Sequence, residues 1–307
     1  MLAWKSRNGR VRGGTQAEAC ATILQAPALV KCRSAEGGLA SRRRLATCPT
    51  LLLVAGMVSA QWLDYPTPGI PRTPDGKPNL SAPVPKAADG HPDLSGLWQR
   101  QRTRQTVQRS NNGLAMGPNL EDFMRPGEKI PPMLPATEAL YKQRLANFMA
   151  DRPSAQCLPH GIPDQMLIGV PLKIVQNPGI TFILYEEFAR FRQVFTDGRP
   201  HPPVASPAWL GYSIGSWDGD WFVVDTRGFN DKSWLDDSGR PHTEMLHTIE
   251  RFRRRDFGHM DIEITIDDPG AYTKPWSFPM QFVFLPDTEM IEDVCDNERD
   301  SRHSVGK

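Results

Sequence analysis

The sequence is short of net charge and of long apolar runs. Its 36 basic and 35 acidic side chains leave a formal net charge of +1, which does not favour nucleic acid or an acidic membrane surface as a partner. No apolar run reaches the roughly 20 residues that a membrane-spanning helix needs, so we predict no span in the mature chain. The oligomeric state stays open.

Two common catalytic signatures are also missing. No Gly-rich loop joins a strand to a helix, which argues against the usual dinucleotide and phosphate sites. No Gly-x-Ser-x-Gly elbow is present either, which argues against the usual nucleophilic serine hydrolase. These absences leave the polar side chains of strands and their connecting loops as the candidates for function.

The first 60 residues are not expected to belong to the fold. Residues 1–41 are rich in Arg, Gly, Ala and Ser, and we interpret them as disordered or as upstream sequence read from an early start codon. Residues 42–60 have the order of a secretory signal, namely three arginines, an apolar stretch and a small-residue cleavage site at Ala60; a buried helix is the alternative. We therefore expect a periplasmic or secreted protein that begins at Gln61.

Cleavage at that site would remove three of the five cysteines. The remaining two, Cys157 and Cys295, either form a disulfide in an oxidising compartment or stay as buried free thiols. The sequence leaves both alternatives open, because separation along the chain does not say whether the two Cα atoms come close.

Proline is abundant, with 29 residues, and it is crowded ahead of the predicted domain. Residues 75–81, DGKPNLS, recur as residues 89–95, DGHPDLS. Each copy joins an Asp-Gly turn to an extended piece stiffened by proline, and two copies are too few for a solenoid. We predict a proline-rich arm over 61–95, a folded domain over 96–297 and a disordered tail over 298–307.

Short segments with strand periodicity fill most of that domain. Beginning with the Gly96-Leu97-Trp98 opening, they continue over 172–176, 181–186, 190–195, 211–217, 221–226, 246–253, 258–267, 276–284 and 289–294. About nine antiparallel strands with short turns predict an all-β meander that closes into a lipocalin-like barrel, because closure removes exposed edges; a β-sandwich is the alternative.

One helix is predicted over residues 137–151. Thr137 would cap it, and its apolar side chains recur at helical spacing. They are Leu140, Tyr141, Leu145 and Phe148.

The alternation is clearest in a hairpin over 246–267. A turn centred on Phe257 places Arg253 opposite Asp261 and Arg251 opposite Glu263 on the polar face, where such pairs contribute a few tenths to ~1 kcal/mol. The same register puts Glu250 opposite Ile264 on the apolar face. That carboxylate has two interpretations. It forms a buried ion pair with Arg190 or Arg192, or it is a general acid or base beside a cavity.

Two elaborate loops, 231–241 and 267–276, enter and leave this hairpin at the same barrel end, which is where we expect a site. The candidate catalytic residues are Glu250, His242, Asp237 and Tyr272. The candidate ligand-binding residues are Trp234, Phe252, Phe222, Phe282 and Arg192.

The spacing His242-x-Glu244-x-x-His247 invites a metal interpretation. An unbroken strand turns His247 away from the other two side chains, and we expect it to meet Asp267 instead. We therefore predict no metal and no cofactor, and expect chelators to have no effect.

Four stretches carry a resemblance to a known family. They are PDLSGLW at 92–98, FTDGRPHP at 195–202, SWDGDWFVVDTRGFND at 216–231 and PHTEMLHTIERFRRRDFGHMDIEITIDDPGAYTKPW at 241–276. The chain resembles, over roughly 61–297, a family of uncharacterised exported proteins of soil bacteria such as acidobacteria. The resemblance implies export and a single folded unit, and it implies no chemistry.

Three functions follow as hypotheses. The first is an exported barrel that binds a small, partly apolar ligand in an enclosed cavity. The second is an enzyme, a hydrolase or lyase, that uses Glu250 for acid/base chemistry on a small organic or sugar substrate. The third is a structural module of the cell envelope whose arm docks on a partner.

Overall fold

A closed nine-stranded β-barrel forms the body of the protein. The computed structural model describes residues 66–101, 119–203 and 206–295. The strands are β1 (Gly96–Arg100), β2 (Leu172–Asn177), β3 (Ile180–Tyr185), β4 (Arg190–Phe195), β5 (Tyr212–Asp218), β6 (Trp221–Arg227), β7 (His247–Arg254), β8 (His259–Asp267) and β9 (Trp276–Phe284). They pair in chain order and β1 closes on β9, which confirms the predicted barrel. The proposed signal and the tail at 298–307 lie outside the described residues.

One strand pair departs from the antiparallel expectation. β4 and β5 pair in parallel, through Val194 with Ser213 and Phe195 with Ile214. The chain therefore crosses to the opposite barrel end between these two strands, because a parallel neighbour must start at the same end. Strand periodicity does not show in which direction the chain runs after a long connection, so the crossing between Phe195 and Tyr212 was not foreseen.

The predicted hairpin register is confirmed. Arg253 lies opposite Asp261, Phe252 opposite Ile262 and Glu250 opposite Ile264. The turn differs from the prediction in one respect, since Gly258 does not adopt a positive φ. A Cβ at Gly258 would lie 2.4 Å from the Cβ of Leu80, so glycine is required there because the arm approaches closely.

Cross-strand charge pairing is confirmed for only one of the two predicted pairs. Arg253 reaches Asp261 at 3.1 Å, whereas Arg251 pairs with Asp218 at 2.7 Å. Glu263, the predicted partner of Arg251, is bound instead by Arg125 at 2.9 Å. Long arginine side chains reach either neighbouring strand, so backbone register alone does not decide their partners.

The proline-rich arm packs on its own barrel. Both copies of the repeat fold into the same turn, closed by an isolated bridge between Arg72 and Pro78 and by another between Lys86 and Pro92. The amides of Phe257 and Gly258 donate to arm carbonyls at 2.8 and 2.7 Å. The arm therefore covers the β7–β8 turn.

Two segments outside the barrel differ from prediction. The helix α1 (Pro135–Ala146) starts and ends earlier than expected, with Leu134 as N-cap instead of Thr137. Its predicted apolar face is largely solvent-facing, since Leu140, Leu145 and Phe148 are exposed while Thr137 and Arg144 are buried. No helix in the described ranges has the length and apolar character to cross a bilayer.

The predicted strand over 289–294 is not formed. The barrel has no free edge with which a further strand could pair, because β9 already pairs with both β8 and β1. The segment is irregular and is fastened by a disulfide between Cys157 and Cys295, with Cα atoms 5.5 Å apart. The disulfide alternative for these two cysteines is thus confirmed.

Candidate functional site

Glu250 lies in the middle of the barrel and is fully buried beside Arg192. Arg192 donates from Nη1 to Glu250 Oε1 at 3.1 Å and from Nη2 to Oε2 at 2.5 Å. It also donates to Ser213 Oγ at 2.8 Å and to Thr226 Oγ1 at 2.5 Å. Four neighbouring strands, β4 to β7, thus contribute one polar side chain each to a network inside an apolar core.

The electrostatics of this network favour the ion pair. Burial alone would lower the pKa of Arg192, but the Glu250 carboxylate outweighs burial and raises it. Burial also raises the pKa of the neighbouring Tyr185 to about 12. Because both oxygens of Glu250 accept from Arg192, the geometry matches the structural alternative, and Arg192 rather than Arg190 is the partner.

The barrel interior around this pair is filled by side chains. Phe222 and Phe252 are in ring contact, with centroids 6.4 Å apart, and Phe282 lies in the same buried cluster. These three residues were candidates for lining a cavity beside Glu250. They act here as packing residues of the core, and their role in ligand binding stays a prediction.

The other candidates gather at one barrel end, where the β6–β7 and β8–β9 connections emerge as expected. His242 is buried, with Nε2 2.7 Å from Ser233 Oγ, and burial lowers its pKa. Tyr272 donates from its hydroxyl to the carbonyl of Pro241 at 3.0 Å. Trp234 lies under the guanidinium of Arg144 at 4.5 Å. These contacts are structural, and among the described hydrogen bonds none joins them to Glu250.

The fourth candidate, Asp237, belongs to a buried polar cluster that the sequence did not reveal. His160, Asp164 and Asp237 are 5%, 3% and 7% exposed, and one ligand atom from each lies within 4.8 Å of the others. His160 Nδ1 is 2.5 Å from Asp164 Oδ2, and His160 Nε2 is 3.2 Å from Glu187 Oε2. We call these four residues the carboxylate–histidine cluster.

Three separate connections build this cluster. His160 and Asp164 lie at the start of the short helix α2 (Asp164–Leu167), Glu187 in the turn between β3 and β4, and Asp237 in the β6–β7 loop. The residue after Glu187, Phe188, adopts a left-handed conformation with φ 57°. The only sequence signal was the four-residue spacing of His160 and Asp164, because three loops meet only once the barrel closes.

Burial and mutual charge perturb these groups. Burial alone would lower the pKa of His160, but the carboxylates of Asp164 and Glu187 raise it to about 11. Burial raises the pKa of Asp164 and of Asp237 against the opposing effects of His160 and Arg152. Strongly perturbed buried groups in one place mark a candidate functional site.

The residues of the His242-x-Glu244-x-x-His247 spacing lie in different surroundings in the structure. Glu244 is exposed, while His247 Nε2 lies 3.0 Å from Asp225 Oδ1. The expectation that His247 meets Asp267 is wrong for the side chain, although the two residues are opposite each other in the backbone register. His201 also contacts Asp225 Oδ1, at 2.8 Å, so the carboxylate is shared by two imidazoles.

The carboxylate of Asp225 is expected to stabilise the folded protein near neutral pH and to lose this effect in acid. Burial would raise the pKa of Asp225, but hydrogen bonds from His247 and His201 outweigh burial and lower it to about 2. A lowered folded pKa contributes stability above the unfolded value of about 3.9, and that contribution is lost as the pH falls towards about 2. The difference in Tm between the wild type and Asp225→Asn should therefore be larger at about pH 6 than at about pH 3. An equal difference at both values would contradict this.

A cleft lies at the opposite barrel end, between the arm and the strands. It has a volume of about 450 Å³ and is lined by residues 87–89 of the arm, the β2–β3 turn, Thr181, Trp217 and Phe222. The ring of His91 stacks on Trp217, with centroids 4.7 Å apart and planes 3° from parallel. We call this space the arm cleft, since the arm forms one of its walls.

A larger groove of about 790 Å³ runs beside β8 and β9. Three of its charged side chains pair with one another, since Arg125 contacts both Glu263 and Glu128. The arm cleft is smaller and more enclosed, and two aromatic side chains, Trp217 and Phe222, line it.

The fold defines the chain as an all-β barrel protein with a polar loop end and an arm at the other end. Comparison of the chain with known protein families, curated proteins and solved structures finds no match. Arguments about function therefore rest on the geometry described above.

Proposed function

We propose that the protein is an exported β-barrel that binds a small, partly apolar ligand in the arm cleft. The observation that carries the proposal is the cleft itself, about 450 Å³ between the arm and the barrel end. Ligand sites commonly have roughly 300–1,000 Å³ of space, apolar walls and a few polar groups. Here Trp217 and Phe222 supply the aromatic wall, and Thr181 and Gln176 supply polar atoms.

The packing of the barrel interior also favours the arm cleft over the core as the ligand site. The network of Glu250 and Arg192 has its hydrogen-bonding groups occupied, and the surrounding rings pack against one another. A ligand in the core would have to displace that packing, whereas the arm cleft is already open. Phe222, one of the residues predicted from sequence to bind ligand, lines the cleft.

Export is the second part of the proposal. The order of residues 42–60 supports it. The disulfide between Cys157 and Cys295 also supports it, because such bonds persist mainly in oxidising compartments. The resemblance to exported proteins of soil bacteria agrees with both observations.

Ligand binding can be measured with anilinonaphthalene sulfonate, a fluorescent probe with an apolar ring system and one charged group. We expect Trp217→Ala to weaken probe binding by about tenfold or more, because an aromatic ring in contact contributes on the order of 1.5–3 kcal/mol. Fluorescence titration of the folded proteins, with folding checked by circular dichroism, gives the dissociation constants.

Trp221→Ala is the matched control for that experiment. Trp221 lies on β6 beside the cleft residue Phe222, but its ring is covered by Arg251 and Arg253 at 5.5 and 4.6 Å. Its removal should leave probe binding unchanged. Equal weakening by both substitutions, or no probe binding to the folded wild type, would reject the arm cleft as the ligand site.

A further inference from the structure

We propose that the carboxylate–histidine cluster binds a divalent transition-metal ion of the zinc class through His160, Asp164 and Asp237. The ligand atoms of these three side chains lie within 4.8 Å of one another, which is close enough to surround one ion. Imidazole nitrogen and carboxylate oxygen are both ordinary zinc ligands. The inference is independent of the arm cleft, which lies at the other end of the barrel.

Two buried carboxylate oxygens in this cluster accept no hydrogen bond from any described residue. They are Asp164 Oδ1 and Asp237 Oδ1. Buried polar atoms normally have a partner, so two such atoms in one cluster need an explanation. Arg152 Nη1 lies 3.4 Å from Asp237 Oδ1, and its contact is an ion pair without hydrogen-bond geometry. A bound cation would satisfy both oxygens.

The charges of the cluster also favour a bound cation. Asp164, Asp237 and Glu187 bring three carboxylates together, and the nearby Asp236 is already paired with Arg240 at 2.6 Å. Arg152 supplies one positive charge from a half-exposed position, and His160 adds none when it binds a metal, because a ligating imidazole is neutral. Buried carboxylates are costly unless they are paired or coordinate a metal, so a divalent cation fits the remaining charge.

The fourth residue of the cluster orients the imidazole. With Nδ1 facing Asp164, the other ring nitrogen of His160 lies 3.2 Å from Glu187 Oε2. Gln165 donates to the same Glu187 oxygen at 3.2 Å and helps to hold it. Metal-bound histidines usually donate their second ring N–H to a carboxylate, which fixes the tautomer and the ring orientation. We therefore assign Nδ1 as the ligand atom and Glu187 as a positioning residue.

The burial of the three ligand residues favours an ion over an organic substrate. His160, Asp164 and Asp237 are all more than nine-tenths buried, and a buried set of ligand atoms suits a small ion better than a substrate that must enter and leave. The mixed nitrogen and oxygen ligands favour zinc or manganese over calcium, which takes six to eight oxygen ligands. This proposal replaces the sequence-based expectation that chelators have no effect.

Isothermal titration of the tag-free full chain with zinc chloride, after dialysis against a chelator, tests the proposal. We expect one zinc ion per chain. Asp164→Asn and His160→Gln should each weaken zinc binding by about 100-fold or more, and Glu187→Gln by about tenfold. Zinc should raise the Tm of the wild type and leave that of Asp164→Asn nearly unchanged.

His247→Gln is the matched control, because His247 also contacts a carboxylate at this barrel end but lies outside the cluster. It should bind zinc as the wild type does. Loss of binding in His247→Gln with retention in His160→Gln would overturn the assignment, and so would a folded wild type that does not bind zinc. If His160→Gln fails to fold, Asp164→Asn, which removes one ligand carboxylate and keeps the shape of the side chain, decides: unchanged zinc affinity overturns the proposal.

Discussion

Glu250→Gln is expected to lower the free energy of unfolding by about 3–5 kcal/mol, which is the range for breaking a fully buried ion pair. The amide cannot neutralise Arg192, which lies beside it with its side chain 1% exposed. An uncompensated guanidinium would then remain inside an apolar barrel. Urea unfolding followed by circular dichroism measures the loss.

Two further variants make this result specific. Glu263→Gln removes a carboxylate from the neighbouring strand that is partly exposed and bound by Arg125, so it should cost at most about 1 kcal/mol. The double variant Glu250→Met with Arg192→Met should be more stable than Glu250→Gln, because it removes both buried charges. A small loss in Glu250→Gln, with a Tm that responds to ligand, would instead support the catalytic interpretation of Glu250.

Removing the disulfide is expected to lower the free energy of unfolding by about 2–5 kcal/mol. The bond joins residues 138 positions apart, so its loss releases a long closed loop in the unfolded chain. Cys157→Ala combined with Cys295→Ala tests this by urea unfolding, and reduction of the wild type should give a similar loss.

Limited proteolysis separates local from global effects of that change. Without the disulfide, the end of the segment over 285–295 is held by polar contacts, among them Lys173 with Glu289 at 2.9 Å and the amide of Phe188 with Asp293 at 3.1 Å. We expect new cleavage within this segment before any cleavage in the barrel strands. An unchanged unfolding midpoint in both the double variant and the reduced protein would contradict the prediction.

The barrel and its central hairpin were predictable because strand alternation is a local property. Side chains with period two assign the buried face, and a slip by one residue would turn Phe252 and Ile262 outward. The same alternation correctly placed Glu250 opposite Ile264. It could not choose between Arg190 and Arg192, since both point to the same face of β4 and the choice depends on which of them lies level with Glu250 inside the barrel.

The candidate site was only partly predictable. The two loops around the hairpin do emerge at one barrel end, and Asp237 lies in a perturbed polar cluster there. Its partners His160, Asp164 and Glu187 come from connections that no local pattern joins to Asp237. Contacts of that kind exist only after β1 closes on β9.

The sequence by itself determined the fold class, the register of the β7–β8 hairpin and the turns of the repeated arm, because each follows from neighbouring residues. Tertiary structure alone decided the partner of Glu250, the parallel pairing of β4 and β5, the docking of the arm and the assembly of the carboxylate–histidine cluster. The physical reason is that these features join residues far apart in the chain. Burial and charge pairing select such partners only when the barrel has brought them within reach.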